Sequence, residues 1–259
     1  MARADKGFVA DLVRPFDAFF VFVGEISILL ADAIKRLLTS RFEVKETLSQ
    51  MAFVGVNSIP IVVLTGFFSG AVLSLYISTF LLQYGATAFV GATVSLSMTR
   101  EIGPVLAGIM VSARCGSAMA AQIGTMAVTE QIDALKMLSV HPTNYLVVPR
   151  VVATVLMMPI LGLACVWAGS FGGWLVAVNE GVPSGAYLTS VSQYTQPSDI
   201  LGGLYKAPFF GVIIALVACQ QGMATKNGAV GVGRSTTNTV VISMVLVYVA
   251  NFILARLMN

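Results

Sequence analysis

The chain has 259 residues, of which 57% are hydrophobic and only 10% are charged, and its formal net charge is +3. With a mean hydropathy of +0.87, this composition excludes an ordinary soluble domain and is typical of an integral membrane protein. The net charge itself indicates little, because the positions of Lys and Arg decide how a membrane protein is oriented.

The first 46 residues are too polar to cross a membrane, since they carry seven basic and seven acidic residues. Apolar residues nevertheless recur every three or four positions from Phe8 to Ile26. This pattern predicts an amphipathic helix over 1–46 that lies in the membrane interface. A partly disordered cytoplasmic tail is the alternative, and a cleavable signal or transit peptide is not expected.

Long stretches without Asp, Glu, Lys or Arg follow. A membrane-spanning helix needs roughly 20 apolar residues. The stretches therefore predict a membrane domain at 47–259 with five spans, at about 51–83, 87–112, 150–178, 200–221 and 236–257. The first span contains Gly66 and Gly70, a GxxxG pattern that permits close helix contact.

The basic residues outside the spans lie in the N-terminal region, the block 113–150 and the segment 222–235. The two other connections, 83–87 and 179–199, contain no Lys or Arg. The positive-inside rule therefore predicts a cytoplasmic N-terminus and a C-terminus on the opposite side.

Two adjacent charges, Arg100 and Glu101, lie inside the second predicted span. A charge at the bilayer centre costs about 2.5–3.5 kcal/mol even on insertion scales. Neighbouring residues on a helix do not face each other, so each charge needs another partner, a water-filled cavity or a lipid head group. Lys206 is a candidate partner for Glu101, and Pro104 is expected to kink the helix. A structural charge network and a functional site both remain open.

A short amphipathic helix is predicted at 129–140. Thr129 can cap it, Glu130 and Asp133 lie in its positive first turn, and Lys136 lies towards its negative end. An apolar face is predicted from Ile132, Leu135, Met137 and Leu138. We interpret this helix as a docking element, with an ordinary interfacial helix as the alternative.

The sequence lacks the residues and motifs that are typical of an enzyme active site. His141 is the one histidine, and the HExxH and GxSxG motifs are absent. The stretch Gly228–Gly233 lacks the order of a phosphate-binding loop and is predicted to be a flexible cytoplasmic turn. Cys115, Cys165 and Cys219 read as buried apolar residues rather than a disulfide or a metal site. We therefore expect no catalytic residue, metal or cofactor, and any ATP must be bound by another chain.

Four segments resemble the MlaE family of ABC-transporter permeases over about 50–258. They are REIGPVLAGIM from Arg100, GSAMAAQIGTMAVTEQIDALKML from Gly116, YLVVPRVVATVLMMP from Tyr145 and GVGRSTTNTVV from Gly231. The resemblance implies a homodimer in a bacterial inner membrane with two cytoplasmic ATPase subunits that bind ATP and Mg. It also implies a small STAS-domain protein, a periplasmic ring of MCE subunits and a phospholipid substrate, with no nucleic acid.

The same resemblance implies roles for particular residues. The family's coupling helix, which contacts the ATPase, matches Thr129, Glu130, Gln131, Ile132, Asp133, Leu135, Lys136 and Leu138. Its membrane-embedded charges match Arg100, Glu101 and Lys206. Its lipid cavity is lined by the outer half of the first span, which corresponds here to Leu73, Ile77, Phe80, Leu81 and Tyr84.

Five positions depart from the family pattern. Gln122 stands where an acidic residue is usual, Ala127 where Arg is frequent, and His141 where Asp commonly precedes the Pro. Asn238 and Asn251 occupy positions that are often Arg and Asp. Each difference removes a charge, so the family's salt bridges are not transferred to this chain.

Together these features predict an all-α integral membrane protein with an N-terminal interfacial helix, five transmembrane helices, a cytoplasmic coupling helix and a short periplasmic helical element. The expected function is ATP-driven phospholipid transport between the inner membrane and a periplasmic MCE protein, which maintains outer-membrane lipid asymmetry. The alternative is a membrane anchor that holds an MCE ring without moving lipid. An ion-coupled secondary transporter would require inverted repeats, and the sequence shows none.

Overall fold

The computed structural model describes the backbone of residues 5–39 and 43–258, and the side chains of this part from residue 20 onward. These residues are almost entirely helical and include no β-strand, so the predicted all-α class is confirmed. In chain order the α-helices are α1 Asp5–Thr39, α2 Val44–Val54, α3 Ile59–Gln83, α4 Val90–Ser97, α5 Gly103–Val111, α6 Ser117–Val128, α7 Gln131–Met137, α8 Val148–Asn179, α9 Ser184–Tyr194, α10 Pro197–Met223 and α11 Gly228–Met258.

Five continuous helical stretches within the described residues are long and apolar enough to cross a membrane, as predicted. They run over Val44–Gln83, Thr87–Val128, Thr143–Asn179, Pro197–Met223 and Gly228–Met258. Three wider π-helical turns are built into them, at Met98–Ile102, Ser112–Gly116 and Thr143–Val147. The chain is therefore a multi-pass membrane protein, and the short helix α9 is the element predicted between the third and fourth spans.

The second span is longer than the sequence predicted, because the helix continues through 113–128 instead of ending near residue 112 at a cytoplasmic block. Arg114 explains the difference. Its guanidinium donates to the Phe53 carbonyl and the Ser58 hydroxyl, each at 3.0 Å, and lies 5.4 Å from the centre of the Phe53 ring. The charge is thus satisfied by the junction of α2 and α3 and does not end the helix.

The predicted turn at Gly228–Gly233 is also wrong, because these residues form the first turns of α11. The helix begins at Gly228, which has a φ of 62° and directly follows Asn227, which has a φ of 67°. A side chain at Gly231 would collide with the carbonyl of Lys226. Glycine is therefore needed here for the close approach of the chain rather than for flexibility.

Small residues bring α3 and α8 together. A side chain at Gly66 would lie 2.7 Å from the Cys165 carbonyl oxygen, and one at Gly70 would collide with the backbone of Gly169. One turn further along, the Ser74 hydroxyl donates to the Gly173 carbonyl at 2.7 Å. The GxxxG pattern of the first span is thus used within the chain, where backbones in close contact gain packing and hydrogen bonds.

The described side chains of α1 pack on the bundle. Ala33 is buried, and Ile26, Leu29 and Leu30 are partly buried against the end of the bundle that also contains α7. The Gln220 amide at the end of α10 donates to the Glu25 carboxylate at 2.7 Å. The periodic residues from Phe8 to Phe19 lie outside the described side chains. α1 is therefore a helix attached to one end of the spans and is not itself among the five.

Candidate functional site: a charged cavity between spans

The π-helical turn Met98–Ile102 places Arg100 and Glu101 on the side of the second span that faces α10 and α11. The Gly103 N–H donates to the Met98 carbonyl across this widened turn. Pro104 is the second residue of α5 and directly follows this widened turn. The wide turn therefore takes up the irregularity expected at Pro104, and π-turns of this kind are frequent at functional sites.

The predicted partner of Glu101 is confirmed. The Lys206 ammonium lies 2.7 Å from Glu101 Oε1 and also donates to the Arg100 carbonyl oxygen at 3.0 Å. Lys206 is nine residues into α10, about 14 Å along its axis. Its side chain is only 4% exposed, whereas that of Glu101 is 40% exposed. The pair joins two spans and leaves the carboxylate accessible.

Arg100 has a partner that the sequence prediction missed. Its Nε and Nη2 donate to Asp199 Oδ1, at 2.9 and 2.5 Å. The other oxygen, Asp199 Oδ2, accepts the Gln196 backbone N–H at 2.8 Å. The sequence places Asp199 at the end of the polar connection before the fourth predicted span. An acid three residues after Gln196, at the start of an apolar helix, is a capping-box pattern that could have revealed it.

A fifth polar residue comes from α11. The Asn251 amide nitrogen donates to Glu101 Oε2 at 2.8 Å. Its amide oxygen is buried and accepts no hydrogen bond from the described residues. Asn251 thus binds the carboxylate without adding a charge, at one of the positions where the chain departs from the family pattern.

A cavity of about 230 Å³ lies beside these charged side chains, at the end of the bundle where α10 begins and α11 ends. We call it the charged cavity, and its lining residues are Arg100, Glu101, Ser198, Asp199, Gly202, Lys206, Ala255 and Met258. Two cations and two carboxylates face each other there, between membrane-spanning helices. An intramembrane group of ionisable residues beside a cavity is a functional-site hypothesis by default.

The residues of the first span that were expected to line a lipid cavity separate into two groups. Leu73, Ile77 and Leu81 pack against the buried cluster that contains Val94 and Tyr187. Phe80 and Tyr84 are exposed, with ring centres 5.0 Å apart. None of them lines the charged cavity within one chain. Their contact with lipid stays a prediction.

The predicted docking helix is shorter than expected and is capped differently. It is α7, Gln131–Met137, and begins after Glu130, which adopts a left-handed conformation with a φ of 59°. The Thr129 hydroxyl donates back to the Thr125 carbonyl at 2.7 Å, so it ends α6 instead of capping α7. Threonine and serine hydroxyls readily make this local bond to a carbonyl four residues earlier.

The apolar face predicted for this helix is divided between core and surface. Ile132 is buried and Leu135 packs beside it, in the same cluster as Ala33 of α1. Met137 and Leu138 are 87% and 73% exposed. On the exposed side, Lys136 Nζ lies 2.7 Å from Asp133 Oδ1. Ile132 and Leu135 therefore hold α7 against the bundle. Met137 and Leu138 are exposed beside the Asp133–Lys136 ion pair.

Comparisons with known proteins agree with this architecture. The family model "Permease MlaE" matches residues 47–257. A "Probable ABC transporter permease protein" of Rickettsia felis is 43% identical over 236 residues, which is 91% of each chain. A protein of the same description from Synechocystis is 43% identical over 235 residues, 89% of this chain and 88% of its own.

A plant protein is also similar. "Protein TRIGALACTOSYLDIACYLGLYCEROL 1, chloroplastic" of Arabidopsis thaliana is 34% identical over 231 residues, 89% of this chain and 66% of the plant protein. The five spans and the matching permeases define an integral membrane transport subunit of the ABC-transporter class. The chain belongs to the MlaE permease family.

Proposed function

We propose that this chain is the membrane-spanning subunit of an ATP-driven phospholipid transporter, and that the charged cavity holds the lipid head group. The observation that carries the proposal is the group of Arg100, Glu101, Asp199 and Lys206 around a cavity between spans. Its walls come from α10, α11 and the π-turn before α5, and a phospholipid likewise joins a charged head to apolar chains. Membership of the MlaE family supports the assignment.

The orientation follows from the basic residues. The positive-inside rule puts α1 and α7 in the cytoplasm, and the charged cavity at the periplasmic side of a bacterial inner membrane. In this orientation the cavity is open to lipid passing to or from a periplasmic partner. We propose that this partner is a ring of MCE subunits and that the transport maintains outer-membrane lipid asymmetry.

α7 is the surface of this chain that we propose contacts an ATPase. ABC-type permeases work with ATPase subunits, and α7 exposes Met137 and Leu138 beside the Asp133–Lys136 pair. We propose that this surface binds a separate ATPase chain, which holds the ATP and Mg. A homodimer would present two such surfaces to two ATPase subunits, with a STAS-domain protein as an accessory. It would also let Phe80 and Tyr84 of one copy approach the lipid held by the other.

The coupling claim is tested with a double variant, Met137→Ser with Leu138→Ser. Both side chains point away from the core, so the chain should insert and accumulate normally while losing the copurified ATPase. The conservative exchange Met137→Leu with Leu138→Met is the matched control and should retain it. Wild-type ATPase recovery with the serine variant would show that α7 is not the docking surface.

The transport claim is tested in proteoliposomes that contain the purified complex and a labelled phospholipid. ATP should move lipid to a soluble periplasmic acceptor. The double variant Arg100→Gln with Asp199→Asn leaves no unpaired buried carboxylate, and it should abolish this movement while ATPase subunits remain bound. An intact complex that hydrolyses ATP without any lipid movement would instead favour the membrane anchor that merely holds an MCE ring.

A further inference from the structure

We infer that the charged cavity prefers a zwitterionic head group, a phosphate joined to a primary ammonium, over one that carries only the phosphate charge. The inference rests on the proposed function, because it names the class of phospholipid for the same cavity. Arg100 and Glu101 carry it: both face the cavity, and they have opposite charges.

Two of the four charged side chains are buried, and the other two are exposed to the cavity. Asp199 and Lys206 are 7% and 4% exposed, whereas Arg100 and Glu101 are 51% and 40% exposed. Both oxygens of Asp199 already accept hydrogen bonds, from Arg100 and from the Gln196 backbone. The buried pair therefore holds the exposed pair in place and leaves ligand binding to Arg100 and Glu101.

Arg100 can bind the phosphate. A guanidinium has five N–H donors, and Asp199 takes bonds from Nε and Nη2 alone. Among the described residues, none accepts a hydrogen bond from Nη1 of Arg100. The remaining donors match the oxygens of a phosphate, for which the planar guanidinium is well suited.

Glu101 can bind the ammonium. Each of its oxygens accepts one hydrogen bond, Oε1 from Lys206 and Oε2 from Asn251. A carboxylate has about four lone-pair positions, so acceptor capacity remains on the exposed side. A primary ammonium with three donors can use this capacity, whereas the uncharged hydroxyl of an alcohol head group gains no ion pair there.

The charge balance of the cavity also favours a zwitterionic head group. Two cations and two carboxylates cancel, and Asn251 preserves the balance because it binds Glu101 as a neutral amide. A zwitterion adds no net charge and meets an opposite charge at both ends. A purely anionic head group would make the site net negative and leave Glu101 without a cationic ligand, and an unbalanced charge is unfavourable between membrane spans.

The test uses wild-type protein and two lipids that differ at one group. The full-length chain is reconstituted with equal amounts of phosphatidylethanolamine and N-acetylated phosphatidylethanolamine, in which the ammonium becomes a neutral amide. After solubilisation and purification, mass spectrometry counts the retained lipids. We expect phosphatidylethanolamine to be enriched about three- to fivefold, the contribution of one partly solvated charge pair.

Different results would contradict the head-group preference and the proposed function. Equal retention of both lipids, or enrichment of the acetylated one, would overturn the head-group preference while leaving phospholipid binding in place. Retention of neither lipid would overturn both the preference and the proposed function. In Glu101→Gln the enrichment should fall to about onefold, since the side chain keeps its shape but loses its charge. Glu180→Gln, at an exposed carboxylate outside the cavity, is the control and should keep the wild-type ratio.

Discussion

The antiparallel helices α10 and α11 border one polar cavity at each end, and the two cavities have similar volumes but different charges. The charged cavity, about 230 Å³, contains Arg100 and Lys206 with Glu101 and Asp199. The cavity at the opposite end, about 250 Å³, contains Lys226 and Arg234 and no carboxylate among its described lining residues. We call the latter the basic cavity. Only the charged cavity offers both signs of charge to a ligand, so charge rather than size separates the two.

Two buried cations, one at each end of the bundle, also differ in whether a carboxylate neutralises them. Lys206, which lines the charged cavity, pairs with the Glu101 carboxylate. Arg150, at the other end of the bundle, is 5% exposed and donates to the Leu146 carbonyl at 2.7 Å and the Gln122 amide oxygen at 3.3 Å. Its Nε has no acceptor among the described residues. Cationic charge is thus neutralised at one end and only solvated by dipoles at the other.

The largest expected effect is that of Glu101→Ala. It would leave Lys206, whose side chain is 4% exposed, without its carboxylate. Because Glu101 is 40% exposed, the cost should be about 2–3 kcal/mol, less than for a fully buried pair. Membrane abundance and thermal unfolding in detergent measure the loss. The double variant Glu101→Ala with Lys206→Met removes the stranded charge and should recover most of the stability. A single variant as stable as wild type would show that the buried Lys206 does not depend on the Glu101 carboxylate.

Arg150→Met should cost less than Glu101→Ala, because it removes a cation that has no carboxylate partner in the described structure. The methionine fills much of the same space, and the loss should be about 1 kcal/mol, the value of the hydrogen bonds given up. The same unfolding assay measures it. A loss as large as that of Glu101→Ala would mean that Arg150 does have an anionic partner.

Gln122→Glu should be weakly stabilising. It would place a carboxylate where the amide oxygen now lies 3.3 Å from Arg150 Nη2, and Gln122 is exposed enough for a carboxylate to stay hydrated. We expect a gain of about 0.5–1 kcal/mol that shrinks in high salt. Destabilisation by this exchange would contradict the view that Arg150 lacks a counter-charge.

The smallest effect is expected on α7, where Asp133 and Lys136 are 68% and 59% exposed. Asp133→Ala should change the stability of the isolated chain by no more than about 0.5 kcal/mol, because exposed ion pairs contribute little. Lys136→Ala is the companion variant and should behave alike. A larger loss in either would show that the pair holds α7 to the bundle.

Much of this arrangement could be predicted from the sequence. The five spans follow from long charge-free stretches, and the Glu101–Lys206 pair follows from the rarity of charges within them. The partner of Arg100 was missed because Asp199 lies at a helix boundary, where polar residues are ordinary. Boundaries are set by local hydrogen bonds such as that of Thr129, which composition does not reveal.

Which hydrophobic residues are buried and which are exposed was less predictable from the sequence. Ile132 and Met137 belong to the same predicted apolar face, yet one is buried and the other is 87% exposed. Periodicity indicates which residues share a face but not where a neighbouring helix ends. The packing of α1 against Ile132, through the cluster that includes Ala33, depends on contacts between distant parts of the chain.

Site-specific photocrosslinking can show whether phospholipid occupies the charged cavity and not the basic cavity. A benzophenone amino acid replaces Ala255 in the charged cavity or Asn238 in the basic cavity, and the exposed Leu156 serves as a control for bulk lipid. Each protein is purified from membranes with radiolabelled phospholipid and irradiated after solubilisation. We expect labelling at Ala255 that the double variant Arg100→Gln with Asp199→Asn removes, with only background at Asn238 and Leu156. Equal labelling at all three positions, or labelling at Asn238 alone, would contradict it.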